Sequence, residues 1–416
     1  MNQPSHAQTS SSEMQISLHF GMQSDWKIQG QPGISSYLDS PWPAVTDISS
    51  TVANALENPI DFPSMDQATV SGDTVAFVLD PQLPEIASLS SEIIDWFVQH
   101  GTSPANIRCV EAGQTPTTSQ VIQSSIQSKI GAEFDYEVHD PDDSDKLAYL
   151  AANTSADPIY LNRTIVDADV VIPICSTRRT SAIDFFGCNS LYPLLCERET
   201  RGRFFTLDTL QDADRKRELL EWAEEAIRWA GFMVQIQAVG TGQGGRLGQL
   251  SAGLLESLSG LVARADQKWT TQLAETDAAV ALVPGIDPSW IEFAQALSVA
   301  DQCTTDHGTI VLCTELGGSI GKSLRRLKDS QTDLASMRKR IAKDTSDESV
   351  AAALISRVTQ DKHIYLVSNL RVDSVESLGM GVLQSEEQLD HLLSQFPSTN
   401  ILGSAQFRDV SLLVDD

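Results

Sequence analysis

The chain has 416 residues, of which 41% are apolar and 20% charged, as expected of a globular protein too long for a single core. Its 56 acidic residues outnumber the 29 basic ones, which leaves a formal net charge of −27. A field of that sign repels phosphate backbones and anionic bilayers, so neither nucleic acid nor a membrane surface is expected as a partner.

Residues 1–14 are polar and serine-rich, and are expected to form a disordered tail. The first basic residue is Lys27, so no cationic secretion leader is expected there. Residues 45–65 read as a helix that ends in a proline-punctuated segment, Ala55-Leu-Glu-Asn-Pro-Ile-Asp-Phe-Pro63, whose first proline stops it. The continuous apolar run from Thr74 to Asp80 predicts a strand buried on both faces. A helix over 87–100 follows, with Leu89, Ile93, Trp96 and Phe97 on one side. Next come a strand at 107–111, the loop 112–116, a helix at 117–130 and a strand from Phe134 to Val138 that ends at His139-Asp140. This alternation predicts α/β architecture with a parallel, doubly wound sheet. Ligands of such sheets sit beyond the carboxyl ends of the strands, here Asp80, the 112–116 loop and residues 139–140.

A fourth buried strand, Val170 to Ile174, leads into a long loop at 175–190. A helix over 208–230, a strand over 232–239, a glycine-rich turn at 240–248 and a helix over 250–264 complete the first half. The second half repeats the logic, with strands at 278–283, 309–314 and 363–368 and helices at 290–300, 322–341, 350–358 and 386–393. Short strands near 400–403 and 411–414 end the chain. The change of character near 265–276 sets the expected division: a tail (1–14), an N-terminal α/β domain (15–270) and a C-terminal α/β domain (271–416).

Several segments carry possible chemistry. Gly317-Gly-Ser-Ile-Gly-Lys-Ser323 follows a strand as a phosphate-binding loop would, but the glycine required five places before Gly321 is Leu316. Gly240, Gly242 and Gly245 meet a dinucleotide-binding spacing, yet the predicted helix begins too late to present its amides. Cys175, Cys188 and Cys196 have no zinc-module spacing, and the six cysteines are expected to be reduced thiols of a cytoplasmic protein. His139-Asp140 could be an acid–base pair or a capped turn. Arg178-Arg179, just past a strand in a very acidic chain, could grip a carboxylate.

The order of several motifs resembles the nickel-pincer lactate racemases and their relatives, the LarA-like proteins. The similarity runs from about residue 18 to the end. It rests on Ala55-Leu-Glu-Asn-Pro-Ile60, the strand ending at Asp80, Ala112-Gly113, His139-Asp140, Leu147-Ala-Tyr-Leu150 and Pro158-Ile-Tyr-Leu-Asn162. Asp167-Ala-Asp-Val-Val-Ile-Pro-Ile174, Trp290 to Ala300 and Ile364-Tyr-Leu-Val-Ser-Asn369 complete it. The resemblance implies two α/β domains with mainly parallel sheets facing across a cleft that holds cofactor and substrate.

The departures bear on activity. Where the family pattern carries an Arg after the first strand, this chain has Leu83, and where it carries Gly-x-His this chain reads Gly113-Gln114-Thr115. The second catalytic His of the pattern falls near Thr180, and there is no lysine from 147 to 215 to anchor the cofactor and no histidine from 140 to 306 to bind nickel. Threonine has no pKa near neutrality and cannot replace an imidazole in proton transfer. The expectation is therefore a LarA-like protein that keeps the fold and cleft without nickel-pincer chemistry and binds a small anionic metabolite such as a 2-hydroxy acid. The expected cleft residues are Asp80, Gly113, Gln114, Thr115, His139, Arg178, Arg179 and Thr180. No cofactor is expected unless the family chemistry survives, in which case it is the nickel-pincer nucleotide. The alternatives are an active hydroxy acid racemase or epimerase with an untethered or different cofactor, and phosphate or nucleotide binding at 317–323.

Overall fold

The computed structural model describes residues 15–21, 25–113, 116–153, 156–177, 189, 191–204, 206, 209, 212–242, 245–285, 288–328, 334–344 and 348–413. The chain opens with the antiparallel pair β1 (Gln15–His19) and β2 (Asp25–Gln29), followed by β3 (Ile34–Tyr37). The first large sheet takes β4 (Val75–Leu79), β5 (Ile107–Glu111) and β6 (Asp135–Val138). After a hairpin of β7 (Leu147–Ala152) and β8 (Pro158–Asn162) it gains β9 (Val170–Ser176), β10 (Val234–Gly240) and β11 (Leu247–Leu254). Its order is β11-β10-β9-β4-β5-β6, parallel except for the β10–β11 pair.

Past β12 (Thr270–Leu273), the second large sheet takes β13 (Thr276–Val283), β14 (Thr304–Thr314), β15 (His363–Val367), β16 (Gly381–Val382) and β17 (Thr399–Leu402). Its order is β16-β15-β14-β13-β17-β3, parallel throughout. The edge strand β3 thus comes from the N-terminal part of the chain. The last strand, β18 (Asp409–Leu412), pairs with β12 outside both large sheets.

Burial explains why these runs are strands. All five residues of β4 are buried, because helices cover both faces of a parallel sheet. The helix Ile86–Gln99 lays Leu89, Ile93 and Phe97 on one of those faces, with the Phe97 ring 5.2 Å from that of Phe77. Truncating a fully buried Phe of this kind costs about 3–5 kcal/mol, so this layer anchors the first sheet. In the second sheet, Ser289 and Glu292 form a reciprocal cap that starts the helix Trp290–Gln302 on its apolar face.

The first helix spans Ile48–Glu57, capped by the Asp47 carboxylate, and ends before Pro59 as expected. Two other expectations change. In place of a helix at 250–264 the chain continues as β11, and a helix begins only at Ser259. There Gly253 brings its backbone against Ile60, an approach that leaves no room for a Cβ. The helix predicted over 322–341 is split into Lys322–Arg325, a 3-10 turn at Arg326–Lys328 and Leu334–Ile341. Both ends of that split are tied to Asp344 rather than to a continuous apolar stripe. No helix among the described residues is long and apolar enough to cross a membrane.

Candidate functional site

The carboxyl ends of β4, β5 and β6 lie side by side, so Asp80, Gly113 and His139 come to one edge of the first sheet. Asp80 is buried, and its carboxylate accepts from the amides of Gln82 (2.9 Å) and Ser176 (3.1 Å). Its own amide donates to the Ile174 carbonyl at 3.0 Å. Asp80 therefore staples the end of β4 to β9. Leu83, where the family pattern has an arginine, is buried beside it.

Gly113 follows β5 with φ at +95°, a left-handed conformation that favours glycine. A Cβ built there would stand 3.8 Å from Nη1 of Arg201, so the guanidinium covers this bare backbone. Arg201 comes from the short helix Arg198–Phe204, and its neighbours hold that helix in place. Arg198 grips the Asp142 carboxylate, with Nε 2.6 Å from Oδ1, and Arg203 pairs with Glu199 at 2.9 Å. Beneath Gly113, the fully buried Glu111 accepts a bond from the Tyr136 hydroxyl, while its Oε1 has no partner among the described residues. Burial pushes the Glu111 carboxyl above its ordinary range, against the opposing bonds from Tyr136 and Ser119.

His139 is buried at the end of β6 with both ring nitrogens in use. Nε2 lies 3.0 Å from the Cys196 carbonyl, and Nδ1 lies 3.4 Å from Nδ2 of Asn162. The carbonyl can only accept and the amide nitrogen only donate, so the ring is the neutral tautomer with its proton on Nε2. Burial lowers its pKa first of all; the Arg201 charge also lowers it, while the Cys196 bond and the Glu137 and Asp140 charges oppose. Asn162 completes the network: Nδ2 donates to Glu137 at 2.9 Å, and Oδ1 accepts from Thr164 at the start of a short helix. This links the β7–β8 hairpin to β6.

The other expected residues, Gln114, Thr115, Arg178, Arg179 and Thr180, lie outside the described residues, as does Cys188. Arg201 is the group that sequence reasoning passed over. Its signal was present in Arg198-Glu-Thr-Arg-Gly-Arg203, three guanidiniums within six residues of a strongly acidic chain.

The residues at hand do not fit a tethered nickel-pincer nucleotide. No amine is available between 147 and 215 for the covalent anchor, and His139 has no free nitrogen to offer a metal. The Cys196 thiol donates to the Tyr192 carbonyl at 3.1 Å and is pushed well above its ordinary pKa by burial, which disfavours the thiolate that metals need. No group of three or more metal-ligating side chains gathers among the described residues.

The two glycine-rich segments are settled by local geometry. At 317–323, the Gly321 amide donates to Glu348 at 2.6 Å and the Ser323 hydroxyl to Asp344 at 3.1 Å. The protein's own carboxylates thus occupy the donors that a phosphate would use. Lys322 points mostly to solvent, 3.8 Å from Asp344, and the helix it begins has four residues. The turn after Gly240 closes the antiparallel β10–β11 hairpin, so no helix amides face it and a dinucleotide fingerprint is ruled out.

Comparison with known proteins agrees with this topology. Residues 21–178 match the family model for the lactate racemase N-terminal domain. That segment of the chain is therefore a lactate racemase N-terminal domain. Among solved structures, the chain resembles the lactate racemase apoprotein from Thermoanaerobacterium thermosaccharolyticum, with a TM-score of 0.73 at 14% identity. That match covers 96% of this chain and 100% of the other. A protein from Thermotoga maritima matches with a TM-score of 0.57 at 12% identity, over 90% of this chain and 100% of its own. Identities this low carry the fold alone. No curated protein matches the chain by sequence.

Proposed function

We propose that this LarA-like chain binds a small anionic metabolite of the 2-hydroxy acid class at the carboxyl ends of β4, β5 and β6, without nickel-pincer chemistry. The observation that carries the reading is the Arg201 guanidinium held against the left-handed backbone of Gly113. A guanidinium fork matches a carboxylate in two parallel bonds, and glycine leaves the approach open. Asp80 and His139 frame the site as positioning groups, since their polar atoms are committed to the main chain and to Asn162. Gln114, Thr115, Arg178, Arg179 and Thr180 complete the proposed site from the segments that continue β5 and β9. The chain is proposed to work in the cytoplasm, in keeping with its reduced cysteines.

The test is a thermal-shift titration with lactate, glycolate and related 2-hydroxy acids. Saturable stabilisation is expected in the wild type, and its loss in Arg201→Gln. No stabilisation by any of these acids, or equal stabilisation of the variant, overturns the binding site. Metal analysis of protein made together with the cofactor-synthesis enzymes tests the second half of the proposal, which stoichiometric nickel would overturn.

A further inference from the structure

The cations of this chain are unevenly placed. Eight of the 29 basic residues fall between Lys322 and Lys343, where the acidic residues are Asp329 and Asp333 alone. That balance runs against a net charge of −27, so the remainder of the chain is more acidic still. Packing decides which way the cations face. Leu324, Met337 and Ile341 are buried in one core cluster with Val350, Leu354 and Ile355 of the helix Glu348–Val358. The polar positions are thereby turned outward. Lys322, Arg325 and Lys328 recur every third residue through the first short helix and the 3-10 turn, as one row. Lys339, Arg340 and Lys343 make a second row at the end of Leu334–Ile341 and just past it. All six are exposed.

The two rows are held against each other. Arg326 grips the Asp344 carboxylate with Nε at 2.5 Å and Nη2 at 2.8 Å, and Lys322 lies 3.8 Å from it. The start of the first row therefore stands beside the end of the second. Asp344 lies beneath this face, its side chain 9% exposed, and Glu348 is engaged by the Gly321 amide. The outer face is thus distinct from the 317–323 loop, whose donors are already taken.

Other exposed cations of this chain sit against carboxylates, as Arg198 does on Asp142, Arg203 on Glu199 and Arg217 on Asp214. Arg325, Lys328, Lys339 and Lys343 have no carboxylate within 4 Å among the described residues. Like charges three and four residues apart on a helix repel, so such a face does nothing for the stability of the fold.

Complementarity calls for an anion, and size decides which kind. The helix Leu334–Ile341 is about 12 Å long, and exposed charges act through about 8 Å at physiological salt. A nucleic-acid duplex or a bilayer extends past that reach onto the acidic remainder of the chain, which repels it. Among the described residues, no large apolar or aromatic side chain is exposed on this face to enter a bilayer or stack on a base. A peptide fits, since four extended residues span about 13 Å.

We infer that the face formed by Arg325, Lys328, Lys339 and Lys343 docks a short acidic segment of another protein, four or five residues rich in Asp and Glu. The carboxylates of that segment lie along the two cation rows. The inference stands independently of the site at Gly113, which belongs to the first sheet.

The experiment follows the fluorescence polarisation of a rhodamine-labelled hexaglutamate peptide as full-length protein is added, at low and at physiological salt. Saturable binding that weakens with salt is expected, with the midpoint weakened about fivefold or more in Lys339→Glu and, separately, in Lys328→Glu. Arg217→Glu alters the net charge by the same amount on a helix of the first half, and its midpoint should stay within about twofold of the wild type. Absence of saturable binding, equal weakening in Arg217→Glu, or tighter binding of phosphatidylserine vesicles or of a ten-nucleotide oligothymidylate than of the peptide overturns the inference.

Discussion

Gly113 and Gly321 both lie in segments that follow a parallel strand, the first just past β5 and the second further beyond β14. What lies over them has opposite charge. A guanidinium, Arg201, stands over Gly113, whereas a carboxylate, Glu348, accepts the Gly321 amide at 2.6 Å, with Asp344 beside it. A glycine-rich strand end is therefore not an anion site by virtue of its glycines. The proposed site at Gly113 rests on a cationic neighbour; the loop at Gly321 already contains its anions.

Several substitutions would break or sharpen that contrast. The largest effect is expected from Asp344→Ala. Burial pushes the Asp344 carboxyl up, but bonds from Arg326 and Ser323 outweigh it and hold the group below the usual range. Removing it leaves Arg326 and Ser323 without their carboxylate, and a loss of about 2–3 kcal/mol is expected from chemical denaturation. An unchanged midpoint would show that the carboxylates over Gly321 are incidental. Arg201→Gln comes next, with 2-hydroxy acid binding weakened at least about tenfold while the denaturation midpoint stays near that of the wild type. Joint loss of binding and stability would make Arg201 a structural group instead.

A smaller effect is expected from pH. The folded-state pKa of His139 lies below its unfolded value of about 6.5, so the native state binds fewer protons between the two. Its contribution is complete at neutral pH and declines as the pH falls below the unfolded pKa toward the folded one. His139→Asn should therefore show a flatter loss of stability than the wild type on acidification, measured by urea midpoints at successive pH values. Parallel curves would contradict the neutral, doubly bonded ring. The smallest effect belongs to Lys322→Ala. Its side chain is 79% exposed and 3.8 Å from Asp344, so stability should move by less than about 0.5 kcal/mol. Neither wild type nor variant should bind ATP at 317–323, and ATP binding lost in this variant would reverse the contrast.

Much of the fold was legible in the chain. The strands β4, β9, β13 and β15 each carry a continuous apolar run because parallel strands are covered on both faces, and that pattern survives in one dimension. The helix Glu386–Leu393 was equally plain, since its cap and apolar positions are local. The β10–β11 hairpin was not, because a glycine-rich turn before an apolar segment is compatible with either a helix or a returning strand. The strand β3 escaped notice for another reason: its partner β17 lies more than 360 residues away, as in the pairing of Thr399 with Ile34. At the site, Asp80, Gly113 and His139 could be found by the strand-end rule, but Arg201 follows no strand and reaches the site from a short helix.

By itself the sequence determined the α/β class, the strand ends and the missing chemistry, since a lysine or histidine that is absent from a segment is absent from any fold of it. Only the tertiary structure decided what the remaining polar groups do. The bonds that commit His139 reach 23 and 57 residues along the chain, and the one that fills the Gly321 loop reaches 27. Hydrogen bonds and ion pairs act over a few ångströms of space, and which groups come within that reach is set by packing rather than by sequence distance.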